Sequence, residues 1–449
     1  MCVLGSFGFD AERVDMAGTD EAVAIVGAGP YGLALAAHLR ARGCEPRLFG
    51  RPMDSWRSGT PPGMRLKSEG FASSIPDPEG RFTLKAFCEA ERRPYADINL
   101  PTPVQTFIDY GDAFQRRYAP QLDRRLARHI RASSDGFAIE LEDGTNVAAR
   151  RCVIATGLSC FETIPEVLRG LASARVQHTA ALSNYDRFAG ARVLVVGAGA
   201  SAANAAGALL RCGAEVSLCC RDAQLRFYPG GEPRRWFDPI LAPLSPIGPG
   251  WRKWAVSQLP QAFAMLPERL RVVIVDNTLG PAPPWFVREE IEGRIEVLAG
   301  SAIVAAREAA CGVEIEMTRA DGTSSRRVFD HVLAGTGYKV DVERLGFLDP
   351  ALRRSLSRVG GAPKLSGSFE SSVPGLYFVG VAAAYQFGPA LRFVCGAKFA
   401  ARRVAAALVG SPGASRRSPA APGAARAREK AKVGRAALRL KSYSADRLK

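Results

Sequence analysis

Two glycine-rich turns are the part of this sequence whose residue types and spacing most directly indicate chemistry. The first, GAGPYG, covers residues 27–32, and the second, GAGASA, covers residues 197–202. In such a turn the first glycine permits a sharp bend, the second lets backbone N–H groups approach a pyrophosphate, and the third small residue lets a helix pack closely on a strand. The helix N-terminus adds partial positive charge that faces the phosphates. Each turn therefore predicts a dinucleotide-binding site.

The residue expected to contact the ribose differs from the usual acid after both turns. In an NAD site an acid usually follows the turn by about 20 residues. After the second turn this position holds Arg221, whose guanidinium can pair with a 2′-phosphate, so NADPH is the predicted ligand. The alternative is that Arg221 is only an exposed residue at a strand end. After the first turn Arg51 stands near the expected position of the acid, and the turn alone does not identify its ligand.

The elements around the two turns repeat each other. EAVAIV and LALAAHLRARG flank the first turn, and ARVLVV and ANAAGALLRCG flank the second, so each turn joins a predicted buried strand to a predicted helix. Farther along, a predicted hairpin that turns at Asp143-Gly144 has a counterpart that turns at Asp321-Gly322. The repetition predicts an α/β fold with two Rossmann-like dinucleotide-binding domains, the second inserted in the first.

Composition is that of a globular chain of two or three domains. The 449 residues are 47% hydrophobic and 23% charged, and no apolar run approaches the roughly 20 residues that span a bilayer. The N-terminal residues do not resemble a secretory signal, and the ten scattered cysteines lack CxxC or zinc spacing. We therefore expect a cytoplasmic protein without a metal site and without a membrane segment.

Most of the positive charge lies in the C-terminal tail. Residues 411–449 hold eleven Lys or Arg against two acids, which is more than half of the net charge of +16. The tail is rich in Pro, Ala and Ser, which favours disorder, and it lacks the aromatic residues that stack on bases. A solvated tail is therefore favoured over a nucleic-acid-binding arm. The alternative is a nucleotide-sensing scaffold whose tail binds nucleic acid.

Four segments together resemble the class B flavin-dependent monooxygenases, a superfamily that includes flavin-containing, N-hydroxylating and Baeyer–Villiger enzymes. HTAALSNYDRFAGARVLVVGAGASA, residues 178–202, is similar to the family fingerprint that runs into the NADPH turn, with Ala191 in place of the usual Lys. SWRSGTPPGMRLKS resembles a stretch beside the flavin, and VFDHVLAGTGY resembles the linker back to the flavin domain. GLYFVGVAAAYQFGPALRFVCGAKFAA resembles the closing flavin segment, with Val381 in place of the usual acid.

The resemblance implies FAD in the first domain and NADPH in the inserted one, and oxygen insertion through a C4a-hydroperoxyflavin that bound NADP⁺ protects from water. It implies an FAD domain at residues 20–184 and 334–410, an NADPH domain at 185–333, and a tail at 411–449. The substrates are molecular oxygen and a small molecule, and a homo-oligomer is possible. The implied flavin-side residues are Gly27, Gly29, Pro30, Tyr31, Gly32, Arg51, Trp56, Met64, Thr156, Gly157, Gly380, Pro389 and Leu391. The implied NADPH-side and linker residues are His178, Gly197, Gly199, Ala200, Ser201, Arg221, Thr336 and Gly337.

Lys67 and Arg65 are the candidate catalytic residues. Lys67 replaces the Asp of Baeyer–Villiger enzymes, and Gly70 stands where N-hydroxylating enzymes have a substrate-binding Lys, so neither subfamily is assigned. If Lys67 faces the flavin, its ammonium could stabilise a peroxide anion or orient an acidic substrate, whereas the alternative is a surface lysine on a loop. The Trp-rich and basic segment at residues 233–254 could bind an anionic or planar substrate, or it could pack between domains.

Other activities stay open at the level of sequence. One is a flavin reductase or oxidase that forms no stable hydroperoxide, and another is hydroxylation of a planar heterocycle such as urate. A disulfide reductase is disfavoured because no CxxC or CxxxxC follows the first glycine turn. A redox role for the adjacent pair Cys219-Cys220 competes with simple burial at a strand end.

Overall fold

The structure is a computed structural model that describes residues 23–280 and 282–410, so the predicted tail lies outside the described residues. The helices, in chain order, are α1 Pro30–Arg40, α2 Asp54–Ser58, α3 Leu84–Ala90, α4 Val104–Tyr118, α5 Ala200–Arg211, α6 Asp238–Leu241, α7 Trp251–Gln258, α8 Pro260–Ala264, α9 Glu268–Asn277, α10 Arg288–Ile291, α11 Pro350–Ser355, α12 Ala384–Phe387 and α13 Ala397–Val409.

The strands vary from two to nine residues in length. In chain order they are β1 Val23–Val26, β2 Arg47–Phe49, β3 Ala127–Ser133, β4 Gly136–Leu141, β5 Asn146–Ala149, β6 Arg151–Ile154, β7 Val176–His178, β8 Arg192–Val196, β9 Glu215–Cys219, β10 Leu244–Ser245, β11 Gly248–Pro249, β12 Glu296–Leu298, β13 Ser301–Ala309, β14 Gly312–Arg319, β15 Ser324–Phe329, β16 His331–Ala334, β17 Arg358–Val359, β18 Ala362–Pro363 and β19 Leu376–Phe378.

Two parallel sheets form the two halves of the fold. The first has the order β19-β6-β1-β2, and the second has the order β12-β9-β8-β16-β7. Strand β1 is buried along its whole length, as expected for a central parallel strand between helices. Strand β19 comes from the chain after the second sheet, so the first domain is built from two separate stretches. The predicted α/β fold with two Rossmann-like domains is confirmed.

The domain boundaries stay a prediction. Strand β7, residues Val176–His178, pairs with β16 and therefore belongs to the second sheet, although it precedes the predicted boundary between 184 and 185. The chain thus crosses into the second sheet once before it reaches the second glycine turn.

Each domain also carries a three-stranded antiparallel sheet. Strands β3, β4 and β5 form one, and β13, β14 and β15 form the other. The turns lie at Gly144 and Gly322, both with φ of +83°, a left-handed conformation that favours glycine. Both sheets have an irregularity near the start of the first strand, between Ala127 and His129 and between Ile303 and Ala305. The first strand of each sheet was not predicted from the sequence, and its presence strengthens the internal repeat.

The two glycine turns share their backbone contacts almost atom for atom. The Gly27 N–H donates to the Phe49 carbonyl at 2.9 Å, and the Gly197 N–H donates to the Cys219 carbonyl at 2.9 Å. A Cβ on Gly27 would collide with the Ala155 carbonyl, and a Cβ on Gly197 would collide with that of Gly335. Each turn therefore lies directly against the exit of a neighbouring parallel strand.

The third small residue of the turn is accommodated differently in the two domains. In the first, a Cβ on Gly32 would overlap the Gly27 carbonyl, so only glycine fits. In the second, the position holds buried Ala202, and the space comes from Gly335 on the facing strand exit. A Cβ on Gly335 would lie 2.7 Å from the Cα of Ala202.

Two long segments that the sequence marks as loop-rich by their many Pro and Gly residues, 58–120 and 225–290, contain helices that sequence analysis did not predict. Helices α3 and α4 lie within residues 58–120, and α6 to α9 lie within residues 225–290. Helix α4 buries Phe107, Tyr110 and Phe114 against the first domain. The second segment exposes large apolar side chains, among them Trp236 and Met265. Within the described residues, no helix has the length and apolar character needed to cross a membrane.

We expect Gly335→Ala to destabilise the inserted domain. The new methyl group must displace the backbone of α5 at Ala202, and such overpacking costs about 1–3 kcal/mol. The measurement is the thermal or urea midpoint. Gly346→Ala is the control, because a Cβ at this exposed turn has no heavy atom within 4 Å. Equal midpoints for the two variants would contradict the close approach of Gly335 and Ala202.

Candidate functional site

The first glycine turn presents an open helix N-terminus. Gly29 caps α1 without a side-chain hydrogen bond, and Pro30 occupies the first turn of the helix. A Cβ built on Gly29 has no protein atom within 4 Å, so the space in front of the turn is free. The unpaired N–H groups and the helix dipole suit a pyrophosphate. The residues present therefore fit a dinucleotide.

Tyr31 fastens this turn to the closing segment of the chain. Its hydroxyl donates to the Leu391 and Phe393 carbonyls, both at 2.8 Å, and burial raises the pKa of Tyr31 well above its usual value. A Cβ on Gly380 would lie 3.6 Å from the Tyr31 ring, and Gly380 has φ of +73°. The predicted flavin-side residues at both ends of the chain are thus brought together, with Pro389 and Leu391 buried behind them.

Other predicted flavin-side residues surround the same strand ends. Thr156 and Gly157 follow β6, and Gly157, with φ of +67°, is exposed. Trp56 lies on α2 with its ring centroid 4.9 Å from that of Phe107. The Met64 carbonyl accepts a hydrogen bond from the Val104 N–H at 2.9 Å, which pins its loop to the start of α4.

The ribose-binding position after β2 has no acid. It holds Gly50, with φ of +122°, and a Cβ there would lie 3.3 Å from the Ala28 nitrogen, so a larger residue is strained. The next residue, Arg51, pairs with Glu142 at 3.3 Å. A cavity of about 480 Å³ opens here, and its carboxylates are those of Asp54 and Asp112. If an acid holds the first ribose, the structure offers it from α2 or α4 rather than from β2.

The second glycine turn likewise leaves its helix N-terminus without a side-chain cap. Gly199 caps α5 without a side-chain hydrogen bond, and Ala200 and Ser201 form the first turn of the helix. Arg221 lies beyond the end of β9, exposed, and it has no ion-pair partner among the described residues. Gly197 and Arg221 therefore flank one sheet edge, as a dinucleotide site requires.

His178 connects the two segments in which the chain passes between the domains, one at the end of β7 and one just after β16. Its Nδ1 accepts the Ala180 N–H at 3.2 Å, so Nε2 carries the proton and donates to the Gly337 carbonyl at 3.1 Å. Burial lowers the pKa of His178, which keeps the ring neutral. The Thr336 hydroxyl donates to the Thr163 carbonyl, and the Thr163 N–H donates to the Gly337 carbonyl at 2.9 Å. These bonds hold the two linkers side by side.

Arg65 is committed to a bridge between domains. Its guanidinium pairs with Glu290 on α10 at 3.0 Å and lies 4.8 Å from the Phe286 ring centroid. Glu290 also pairs with Arg211 at 2.6 Å, and Arg211 donates to the Pro62 carbonyl at 3.0 Å. This network, called here the Glu290 bridge, consists of Arg65, Arg211 and Glu290. A catalytic role for Arg65 stays a prediction, while its contacts position the loop that carries Lys67.

Lys67 lies half-buried between the two domains. Its ammonium donates to the Ala282 carbonyl at 2.7 Å and lies 4.8 Å from the Tyr228 ring centroid. Burial, and to a smaller extent the nearby ammonium of Lys253, lowers the pKa of Lys67 to about 8. Its position between the first-domain loop and two segments of the second is unlike that of a free surface lysine.

Sequence reasoning missed several residues of this region. Tyr228, Arg211 and Glu290 carry no motif, and only the fold brings them to Lys67 or Arg65. Lys253 lies in the basic, Trp-rich segment that the sequence marked as a candidate for an anionic or planar substrate, and this was its one signal.

The cysteines offer no reactive pair among the described residues. No two of the nine described cysteines form a disulfide. Burial raises the pKa of Cys152 to about 12 and that of Cys219 to about 11, so both are thiols rather than thiolates near neutral pH. In the described part of the chain, no group of His, Cys, Asp or Glu has the arrangement of a metal site.

Comparisons with known proteins agree with this architecture. Residues 21–230 match the family described as pyridine nucleotide-disulphide oxidoreductase. The chain is 28% identical over 342 residues to indole-3-pyruvate monooxygenase YUCCA1 of Oryza sativa subsp. japonica, covering 71% of this chain and 77% of that protein. It is 31% identical over 213 residues to indole-3-pyruvate monooxygenase YUCCA6 of Arabidopsis thaliana, covering 44% and 47%.

Solved structures share the fold over most of the chain. The reduced form of ornithine hydroxylase (PvdA) from Pseudomonas aeruginosa superimposes with a TM-score of 0.68 at 17% identity, covering 87% of this chain and 99% of that one. A flavin-containing monooxygenase from Stenotrophomonas maltophilia gives a TM-score of 0.60 at 18% identity, covering 87% and 98%. The monooxygenase relatives and these shared folds agree with the resemblance of the sequence: the chain is similar to class B flavin-dependent monooxygenases.

Proposed function

We propose that the protein is an FAD- and NADPH-dependent monooxygenase that inserts one oxygen atom into a small molecule. The observation that carries the proposal is the pair of glycine turns at Gly29 and Gly199, each at the N-terminus of a helix that has no side-chain cap. Two dinucleotides can therefore be held at once, and the His178 contacts tie the linkers between their domains. That is the arrangement in which one nucleotide reduces the other.

FAD is assigned to the first turn and NADPH to the second. The first turn is fastened by Tyr31 to the closing segment, whose likeness to the flavin segment of the family supports FAD. The second turn is followed by Arg221, which suits a 2′-phosphate. When bound, FAD would accept a hydride from NADPH and supply activated oxygen. The protein's own task is to orient the two nucleotides and exclude water.

A disulfide reductase is the second candidate, because the matched family carries that description and a bacillithiol disulfide reductase shares the fold with a TM-score of 0.57. Such a reaction needs a reactive thiol near the flavin. Burial raises the pKa of the Cys88, Cys160 and Cys395 thiols, and no two described cysteines form a disulfide. The monooxygenase is therefore the better supported function.

We expect Gly29→Asp to abolish FAD binding without unfolding the protein. The backbone of Gly29 is ordinary and its Cβ position is open, so the fold accepts the side chain, while a carboxylate there repels the pyrophosphate. FAD content follows from absorbance and from the nucleotide released on denaturation, and circular dichroism checks the fold. Gly346→Asp, on an exposed turn, is the control. Full FAD content in Gly29→Asp would show that the first glycine turn does not hold the pyrophosphate of FAD.

We expect Arg221→Ala to weaken NADPH while sparing NADH. A charge-assisted contact to a phosphate contributes about 1–3 kcal/mol, or roughly ten- to hundredfold in affinity. The measurement is the KM or Kd for each coenzyme. Arg294→Ala is the matched control, since Arg294 is exposed on the segment before β12, at the opposite end of the sheet. Equal losses for both coenzymes would show that Arg221 does not contact the 2′-phosphate.

The reaction itself is tested with isotopic oxygen. The FAD-loaded protein, NADPH and ¹⁸O₂ are incubated with indole-3-pyruvate, the compound named for the plant relatives, and with a panel of small amines and organic acids. One labelled oxygen atom in a product, together with reduced hydrogen peroxide release, is the expected result. NADPH oxidation that yields stoichiometric peroxide with every compound would instead indicate an oxidase.

A further inference from the structure

The region around Tyr228 collects positive charge without a counter-ion. The ammonium groups of Lys67 and Lys253 lie 4.8 Å and 5.2 Å from the centroid of the same Tyr228 ring. Among the described residues, neither lysine has a carboxylate within ion-pair distance. Two ammonium groups that are half-buried and close together destabilise one another. Such an arrangement is stabilised when an anion binds between them.

Specific contacts hold the cluster of Lys67, Lys253 and Tyr228 in place. The Tyr228 N–H donates to the Pro283 carbonyl at 2.7 Å, and Lys67 holds the neighbouring Ala282 carbonyl at 2.7 Å. The Tyr228 hydroxyl packs directly on Gly248, where a Cβ would collide with it and would lie 3.3 Å from the Lys253 ammonium. The hydroxyl has no hydrogen-bond partner among the described residues, so it can donate to a ligand. The Tyr228 hydroxyl and the Lys253 ammonium thus both lie near Gly248, and the Lys67 ammonium lies against the same Tyr228 ring.

Burial disfavours the charged forms of both lysines, although Lys67, with a pKa of about 8, is still mostly charged at pH 7. Burial is the main cause of the lowered pKa of Lys67, about 8, and of the lowered pKa of Lys253. Burial raises the pKa of Tyr228, so its hydroxyl stays protonated. The nearest acid that acts on this ring is Glu69, whose own pKa burial raises and whose carboxylate accepts the Asn99 N–H at 2.8 Å. Glu69 is therefore already engaged and does not neutralise either lysine.

The cluster also lies beside the closing segment that supports FAD. Lys253 is on α7, and that helix packs against the residues that follow Gly388. A Cβ on Gly388 would lie 3.1 Å from the Val256 carbonyl, one turn along the same helix from Lys253. Lys67 comes from the first domain, on the loop that the hydrogen bond from the Val104 N–H to the Met64 carbonyl holds against the start of α4. A ligand held by both lysines would therefore contact this loop and helix α7.

We infer that Lys67, Lys253 and the Tyr228 hydroxyl form a binding site for the carboxylate of an organic acid, so that the substrate of the proposed monooxygenase is an anion. That this acid is a substrate rests on the proposed function, whereas binding of the acid does not depend on turnover. The two ammonium groups offer charge-assisted hydrogen bonds to a carboxylate, and the hydroxyl adds a third donor. A phosphate of NADPH is the other anion that the same chemistry would accept.

The test is calorimetric titration of the FAD-loaded protein with phenylacetate and with its neutral counterpart phenylacetamide. In the unmodified protein the acid should bind at least about tenfold more tightly than the amide. Lys67→Met and Lys253→Met should each remove most of that preference and leave the affinity for NADPH within about twofold. Lys85→Met, on the exposed face of α3, is the control and should behave like the unmodified protein.

The pH dependence gives a second signature. Because a bound anion requires the charged form of Lys67, the preference for the acid should be present at pH 7 and decline as the pH rises through about 8. An ordinary lysine would hold the preference to much higher pH. In Lys67→Met this decline should disappear, which separates the effect from a general loss of stability.

Three outcomes would overturn the inference. One is equal binding of the acid and the amide, or binding of neither. Another is an acid preference that survives in Lys67→Met and Lys253→Met. The third is a large loss of NADPH affinity in these variants, which would assign the cluster to a phosphate of the coenzyme. Failure of the isotope experiment alone would remove the oxygen-insertion proposal and leave this anion site standing.

Discussion

At each glycine turn, the backbone of the turn approaches the backbone of a neighbouring strand exit so closely that no side chain fits between them. Gly27 lies against the Ala155 carbonyl, and Gly197 lies against that of Gly335. Because these contacts join a glycine turn to the exit of the next parallel strand, the carboxyl ends of both strands and the N-terminus of the helix meet at one place. The open space in front of the helix follows directly from this approach. Everything that a dinucleotide would contact is positioned by it.

Arg65 and Lys67, two cations on one loop of the first domain, meet different electrostatic environments. Arg65 is neutralised in the Glu290 bridge, where two guanidinium groups share one carboxylate. Lys67, two residues later, has a carbonyl and an aromatic ring for partners and no carboxylate among the described residues. A bridging guanidinium can hold the loop in place, whereas an unneutralised ammonium can act on a ligand. The division of roles between neighbouring residues therefore comes from what the second domain presents to each.

The sequence predicted the parts of the fold that depend on local patterns. Strand β1, the turn at residues 27–32 and helix α1 follow from apolar periodicity and glycine spacing, and their repetition revealed the second domain. The strands β3 and β13 were missed because their apolar residues are sparse, and helix α4 was missed because the Pro and Gly around it suggested loops. The Glu290 bridge and the contacts of Lys67 join residues more than 200 positions apart, and no local pattern encodes such pairs.

The bond between Tyr31 and the carbonyls of Leu391 and Phe393 spans 360 positions of sequence. During synthesis the second sheet has all its strands once residue 334 has emerged from the ribosome, whereas the first sheet still lacks β19. The inserted domain can therefore fold while its host is incomplete. The first glycine turn, although made first, is therefore completed last, because its contacts with Leu391 and Phe393 can form only after the inserted domain has been made. A ribosome that stops short of residue 376 would release a chain with every strand of the second sheet but without β19 of the first.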